Sequence, residues 1–126
     1  MTTLAMRQHG LVLLAHGSRD PLWRTPIEAI ARQASQLQPQ RLIRCAYLEL
    51  SSPDLAACVH ELAALGVREV KVVPLFLGIG KHAREDMPRL IAELTVEFPK
   101  INFTLTPAIG EDERLIALIA QISLAD

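Results

Sequence analysis

Hydrophobic residues along the chain form two alternating kinds of segment. Short apolar runs, typical of buried strands, occupy residues 11–15, 42–48, 70–77 and 101–106. Each run is followed by a segment with apolar residues at helical spacing. The four helical stripes are Ile27, Ile30, Ala31, Ala34; Leu55, Cys58, Val59, Leu62; Leu90, Ile91, Leu94; and Leu115, Leu118, Ile119, Ile122. The pattern predicts four successive strand–helix units.

Several residues mark where the predicted helices begin and end. Thr25-Pro26 and Ser52-Pro53 each place a hydroxyl that can cap a helix before a proline, which needs no amide donor in the first turn. Gly66 can adopt the left-handed conformation that closes the second helix. Glu111 and Asp112 put negative charge where the last helix is expected to begin. These signals agree with the hydrophobic periodicity.

The alternation of strands and helices predicts an α/β fold. Right-handed crossovers would place helices on both faces of a four-stranded parallel sheet, giving three layers. Residues 11–15 are apolar throughout, whereas residues 42–48 and 101–106 include polar positions, so the first and third strands are expected at the centre. This gives a flavodoxin-like order of 2-1-3-4. Pro74 conflicts with a regular third strand and requires a bulge or an end to pairing there.

Composition limits the size and the partners of the protein. The 126 residues are 50% hydrophobic, which predicts one domain over residues 1–126. A net charge of -1 favours neither nucleic acid nor an anionic membrane as a partner. No apolar run is long enough to span a bilayer and the first ten residues lack a secretory signal, so we expect a cytoplasmic protein. Cys45 and Cys58 are expected to be reduced core thiols.

Reactive side chains follow the first three predicted strands. His16 follows the first strand, Glu49 the second and His82 the third. Because open parallel sheets bind ligands beyond the carboxyl ends of their strands, we expect these three residues at one edge. A neutral imidazole binds first-row divalent metals and is a base near neutral pH, and a carboxylate adds negative charge. Two histidines and a glutamate therefore predict an open metal site.

Some of these residues have alternative interpretations. Glu49 could instead cap the helix that begins near Ser52. Asp86 is expected to cap the third helix, and the alternative is that it orients the imidazole of His82.

The other histidines and the basic residues are expected at the surface. His9 and His60 are predicted to face solvent. Positive charge near the same sheet edge would suit a substrate rich in carboxylates. The residues that supply this charge are Arg19, Lys81, Arg84 and Arg89.

Three groups of residues carry a resemblance to a known family. They are His16-Gly17-Ser18-Arg19; Leu48-Glu49; and Pro74-Leu75-Phe76-Leu77 with Gly80, His82, Asp86 and Pro88. With these motifs the chain resembles, over nearly its whole length, the short CbiX/SirB-type sirohydrochlorin chelatases.

The resemblance implies a class II chelatase. Such an enzyme inserts a divalent metal into sirohydrochlorin or a related tetrapyrrole without ATP, in cobalamin or siroheme biosynthesis. The family's two metal-site histidines correspond to His16 and His82, and its glutamate corresponds to Glu49. The metal is a substrate, with cobalt and iron favoured and nickel left open. Because the short form resembles one half of the longer chelatases, the resemblance also implies a homodimer.

Metal insertion requires that the pyrrolic protons leave while ring nitrogens replace the ligands of the metal. We expect one of His16 and His82 to accept protons while the pair, with Glu49, holds the metal, and the sequence does not assign the roles. One alternative is a non-catalytic metal or tetrapyrrole carrier. Another is a phosphoryl-transfer enzyme with a phosphorylated His16 and a phosphate cradle at Gly17-Ser18. Such enzymes carry an Arg-His-Gly motif, and Ala15 replaces its arginine here, which disfavours this alternative.

Overall fold

The computed structural model describes residues 8–126, which form four strands and four α-helices. The strands are β1 (His9–Ala15), β2 (Leu42–Tyr47), β3 (Glu69–Pro74) and β4 (Asn102–Leu105). The helices are α1 (Thr25–Leu37), α2 (Leu55–Ala64), α3 (Lys81–Glu97) and α4 (Glu113–Leu124), with 3-10 helices at Pro21–Arg24 and Ile109–Glu111. Most of the segment considered for a secretory signal lies outside the described residues.

The strands form one parallel sheet in the order β2-β1-β3-β4, which confirms the predicted topology. β1 lies at the centre, where Leu14 pairs with Ala46 of β2 on one side and with Pro74 of β3 on the other. β1 and β3 are flanked on both sides, while β2 and β4 form the edges. β1 is apolar from Leu11 to Ala15, as a strand covered on both sides requires, whereas β3 includes Glu69 and Lys71.

Pro74 ends β3, so the prediction that this strand runs to residue 77 is wrong. One further ladder bond follows, because the N–H of Leu75 donates to the carbonyl oxygen of Leu14 at 2.7 Å. The chain then leaves the sheet. A proline at a central position has no N–H for the ladder, and placing it at the strand end keeps that loss small.

Burial is uneven on the two faces of the sheet. On the α2 face, Val12 and Leu14 of β1 are completely buried and pack in the main core with Cys58, Val59 and Leu62 of α2. On the other face, α1 packs against β1 and β2 without a buried residue, and α4 has no buried residue either. The sheet is therefore covered more tightly on the α2 face than on the α1 face.

Two predicted helix starts are wrong in detail. α2 begins at Leu55, and the carboxylate of Asp54, not the hydroxyl of Ser52, accepts from the N–H of Ala57 at 2.8 Å. α1 begins at Thr25 itself, so this hydroxyl does not cap it. An acidic side chain at the N-cap satisfies a free amide as well as a hydroxyl does.

The third helix also begins earlier than expected. α3 starts at Lys81, which places Asp86 inside the helix and makes its predicted capping role wrong. Pro88 lies within α3, where it removes one backbone hydrogen bond and its ring crowds the preceding turn. Met87 and Leu94 of the same helix are buried, and their packing compensates for that loss.

Two other helix signals are confirmed. Gly66 has a φ of 86° directly after α2, and the carboxylate of Asp112 accepts from the N–H of Arg114 at 2.8 Å where α4 begins. Among residues 8–126, no helix combines the length and the hydropathy needed to cross a membrane.

Candidate functional site

The three predicted site residues all lie beyond the carboxyl ends of the strands. His16 is the first residue after β1, Glu49 is the second residue after β2, and His82 is the second residue of α3, after the loop that follows β3. All three are exposed. The topology thus directs them to one end of the sheet, as the sequence predicts.

The imidazole of His16 packs on a buried aromatic ring. Its ring centroid lies 4.3 Å from that of Phe76, with 33° between the ring planes, and Phe76 is only 4% exposed. Phe76 belongs to the segment after β3, so the loop after one strand supports a side chain from the loop after another. The packing restricts the imidazole while leaving it open to solvent.

Backbone hydrogen bonds join the loops that carry His16 and Glu49. The N–H of Leu48 donates to the carbonyl oxygen of Ala15, and the N–H of Glu49 donates to that of His16, both at 2.9 Å. The β1–β2 pairing therefore continues beyond the strands. His16 and Glu49 are held together by main-chain bonds that do not depend on their side chains.

Gly17 makes this approach possible. A Cβ atom there would lie 1.7 Å from the carbonyl oxygen of Glu49, and the residue has a φ of 109°. Only glycine meets both conditions.

A serine pair closes the same junction. The hydroxyl of Ser51 donates to the carbonyl oxygen of Ser18 at 2.7 Å and accepts from its N–H at 3.1 Å. The two residues are 33 positions apart, so periodicity gives no signal for the pair. Sequence reasoning missed Ser51, Phe76 and this junction as supports of the site.

The carboxylate of Glu49 is available for a ligand. The helix-cap interpretation of Glu49 is wrong, because Asp54 caps α2. Within residues 8–126 Glu49 forms no ion pair.

His82 lies in the first turn of α3. Asp86, which is the alternative candidate to orient the imidazole of His82, pairs with another residue. The carboxylate of Asp86 pairs with Arg89 at 3.2 Å.

The loop that leads to α3 is anchored by Gly110, whose N–H donates to the carbonyl oxygen of Phe76 at 2.9 Å. A Cβ at Gly110 would lie 1.9 Å from the carbonyl oxygen of Leu77, so this contact also requires glycine.

Metal binding by His16, Glu49 and His82 stays a prediction. Within residues 8–126 no three His, Cys, Asp or Glu side chains lie close enough together to hold a metal ion. A depression of about 440 Å³ at this end is lined by Glu49, Ser51 and Asp54 but by neither histidine. One chain therefore presents these groups on an open surface.

The cysteines do not contribute to the site. Burial raises the pKa of the Cys58 thiol to about 11, and it also raises the pKa of Cys45. Since the thiolate is the form that binds metals, both thiols are poor ligands. Cys58 is completely buried and donates to the carbonyl oxygen of Cys45 at 3.4 Å.

The basic residues near the site differ in their engagement. Arg89 pairs with Asp86 and Glu93 on its own helix. Arg19, Lys81 and Arg84 are exposed and form no ion pair with any residue in the described part of the chain. These three cations remain free to meet an anionic ligand.

The other two histidines lie away from this end of the sheet. His60 is exposed, as predicted, and its Nε2 lies 3.0 Å from a carboxylate oxygen of Glu97. The prediction for His9 is wrong, because its side chain is only 25% exposed and pairs with Glu69 in the adjacent strand.

Known proteins resemble this chain in sequence. The chain is 33% identical over 81 residues to the sirohydrochlorin cobaltochelatase of Methanopyrus kandleri, covering 64% of this chain and 57% of that protein. It is 30% identical over 112 residues to the sirohydrochlorin cobaltochelatase of Saccharolobus solfataricus, covering 84% of this chain and 86% of that protein.

Two solved structures share the fold. A protein from Marinobacter aquaeolei VT8, described as a cobalamin biosynthesis CbiX protein, superposes with a TM-score of 0.81 and 35% identity, covering 91% of this chain and 93% of that chain. The sirohydrochlorin chelatase SirB from Bacillus subtilis subspecies spizizenii, in complex with cobalt, superposes with a TM-score of 0.76 and 24% identity. That match covers 90% of this chain but 48% of the SirB chain.

The sequence profile of the CbiX family matches residues 10–123, which include all four strands from Gly10 onward and all three predicted site residues. With this match and the shared topology, the chain belongs to the CbiX family.

Proposed function

We propose that the protein is an ATP-independent chelatase that inserts a divalent metal into sirohydrochlorin or a related tetrapyrrole. The observation that carries the proposal is the junction that holds His16 and Glu49 together at the carboxyl edge of the sheet. The names of the relatives from Methanopyrus and Saccharolobus support sirohydrochlorin as the ring and cobalt as the metal. Iron and nickel are the other metals to test.

The chemistry of the side chains supports a division of labour. A metal can replace the pyrrolic protons only if a base accepts them, and an imidazole has the right proton affinity near neutral pH. One of His16 and His82 accepts these protons, and the two histidines with Glu49 hold the incoming metal. Arg19, Lys81 and Arg84 attract the peripheral carboxylates of the ring. The free, protonated thiols fit a cytoplasmic location.

The test is an anaerobic visible-spectrum assay with sirohydrochlorin and cobalt, iron or nickel in turn. His16→Ala and His82→Ala should each lower the initial rate while the fold is retained, and the variant that lacks the base should lose roughly 10²–10⁴-fold, the usual contribution of a general base. His60→Ala is the matched control, since His60 is an exposed histidine on α2. If both site variants metallate the ring at the wild-type rate, the proposed site is excluded.

The same assay separates an enzyme from a carrier. Both would bind the ring and the metal, but only an enzyme raises the initial rate above that of the spontaneous reaction. An unchanged rate with tight binding of both substrates would favour the carrier.

Glu49 is tested by charge removal with little change in shape. Glu49→Gln should weaken metal binding while tetrapyrrole binding changes little, since an amide is a poorer ligand than a carboxylate for a divalent ion. Identical metal titrations for the two proteins would exclude Glu49 as a ligand.

We further propose that the protein acts as a homodimer in which two sheet edges share a cleft. The open surface around His16 and Glu49 offers one wall to a broad, flat ring, and a second copy would supply the other. The chain corresponds to about half of the SirB chain, at 48% coverage, which agrees with this arrangement.

The composition of α4 supports an interface between copies. Residues 115–124 contain no charged side chain, and none of the residues of α4 is buried. The large apolar side chains exposed on this helix are Ile116, Leu118, Ile119, Ile122 and Leu124. A helix that is apolar on every side is normally covered by protein.

A further inference from the structure

A single leucine in the site has a backbone conformation that the fold alone does not favour. Leu50 directly follows Glu49 and has a φ of 61°, and it is the one non-glycine residue with a positive φ in residues 8–126. The N–H of Ser51 donates to the carbonyl oxygen of Glu49 at 2.7 Å, which closes a three-residue γ-turn around Leu50. A γ-turn with positive φ at its centre is rare and strained for a residue with a side chain.

The turn is fixed from both ends, so Leu50 cannot relax on its own. On one side, the N–H of Glu49 is bound to the carbonyl oxygen of His16. On the other side, the hydroxyl of Ser51 makes two hydrogen bonds to the backbone of Ser18. The carbonyl of Glu49 also rests against Gly17. The conformation of Leu50 is thus imposed by the junction that supports the site.

Leucine is a costly residue for this position. Glycine adopts a positive φ more easily, and it would expose less apolar surface to water. The side chain of Leu50 is 54% exposed and recovers little burial in exchange. Packing within the chain does not account for a leucine here, so its apolar partner lies outside this chain. The position of Leu50 next to Glu49 favours the tetrapyrrole over a second copy as that partner.

Exposed leucines, with ordinary backbone conformations, also occur near the other two predicted site residues. Leu22, in the 3-10 helix after the His16 loop, is 77% exposed, and Leu77, in the loop that leads to His82, is 71% exposed. An exposed leucine therefore lies in or next to the segment that follows each of the first three strands. A tetrapyrrole has apolar faces and an anionic rim, so apolar side chains beside the metal ligands match its face.

We propose that Leu50 contacts the face of the macrocycle and that the γ-turn holds it there. The inference rests on the proposed function and assigns Leu50 to the binding of the ring, separately from the metal. The strained turn places an apolar contact next to Glu49 before the substrate arrives, which lowers the ordering cost of binding.

The experiment compares Leu50→Asn and Leu50→Met with a matched control, Leu65→Asn. Leu65 is 55% exposed at the end of α2, with a φ of -85°, so its replacement removes the same apolar surface away from the site. Three quantities are measured for each purified protein: the dissociation constant for metal-free sirohydrochlorin, the dissociation constant for Co²⁺ alone, and the unfolding temperature.

We expect Leu50→Asn to weaken binding of metal-free sirohydrochlorin by about tenfold, the effect of losing a partly buried leucine contact. Binding of Co²⁺ should be unchanged, and the unfolding temperature should not fall, because the exposed side chain of Leu50 adds little packing within the chain. Leu50→Met, which keeps an apolar side chain, should recover most of the affinity for the ring. Leu65→Asn should behave as wild type.

Several results would overturn the assignment. The first is unchanged ring binding in Leu50→Asn, and the second is an equal loss of ring binding in Leu65→Asn. The third is a lower unfolding temperature in Leu50→Asn. The fourth is a change in the molar mass of Leu50→Asn by light scattering, which would place Leu50 in a subunit interface. The proposed function fails separately, because in that case the wild-type protein itself would neither bind sirohydrochlorin nor accelerate its metallation.

Discussion

At the scale of single residues, Gly17 decides whether the site can form. Replacement by alanine would place a Cβ against the carbonyl oxygen of Glu49 at a φ that alanine avoids. We expect Gly17→Ala to lower the free energy of unfolding by more than about 2 kcal/mol, measured by urea denaturation. Gly78→Ala is the matched control, since a Cβ at Gly78 meets no atom within 4 Å, and its effect should stay within about 0.5 kcal/mol. Equal effects would contradict the steric argument.

The cysteines provide a second test at this scale. Burial is the main cause that raises the pKa of both thiols, and nearby carboxylates, Glu28 for Cys45 and Glu61 for Cys58, add to it. Because a thiol reagent attacks the thiolate, we expect neither cysteine to be labelled at pH 8 in the folded protein, and both to be labelled in denaturant. In the Cys45→Ser variant only Cys58 remains, so any labelling of this variant is assigned to Cys58. Rapid labelling of the native protein would contradict this arrangement.

At the scale of elements, the start of α4 depends on a carboxylate. Hydrogen bonds from the side chain and then the backbone of Arg114 lower the pKa of Asp112 to about 2. A lowered pKa in the folded state contributes stability above the unfolded value near 4, and the contribution is lost as the pH falls through about 2. We therefore expect Asp112→Ala to lower the unfolding temperature by a constant amount from pH 7 to 5, and by progressively less below pH 4.

Glu111→Ala is the control for this element, because Glu111 is an exposed acidic neighbour outside the cap. Its effect on the unfolding temperature should be small. A difference between Asp112→Ala and wild type that grows towards low pH would have the wrong sign for a depressed pKa.

At the scale of the whole molecule, activity and assembly should be linked. Ile122→Glu places a charge on the exposed apolar surface of α4, where Ile122 is 64% exposed. We expect this variant to be monomeric by light scattering and less active per chain, because a buried unpaired charge destabilises the interface. Wild-type protein should also lose activity per chain on dilution.

The matched control is Val96→Glu, which adds the same charge at an 83% exposed position on α3. Val96→Glu should leave the molar mass in solution and the activity per chain unchanged. A wild-type protein that is monomeric at every concentration, with constant activity per chain, would refute the shared cleft but not the roles of His16 and His82.

The sequence alone determined the architecture. The contrast between the apolar residues 11–15 and the partly polar residues 42–48 placed β1 at the centre and β2 at an edge, because a strand covered on both sides needs apolar residues throughout. The sequence also placed His16, Glu49 and His82 beyond the carboxyl ends of the strands, because parallel strands carry their following residues to one edge.

Local signals failed at the helix starts. Asp54 caps α2 in place of Ser52, and α3 begins before Asp86 and continues through Pro88. Several nearby residues can cap the same free amides, so the sequence does not single out one of them. In the third helix, the burial of Met87 and Leu94 stabilises a helix that continues through Pro88.

Only the tertiary structure decided how the site is held. Phe76 lies under His16, Ser51 binds the backbone of Ser18 from 33 positions away, and Gly17 admits the carbonyl of Glu49. No periodicity encodes these contacts, because they join loops whose separation in sequence is set by the intervening helix and strand. The sheet sets the positions of the strand ends, and these positions determine which loops come into contact.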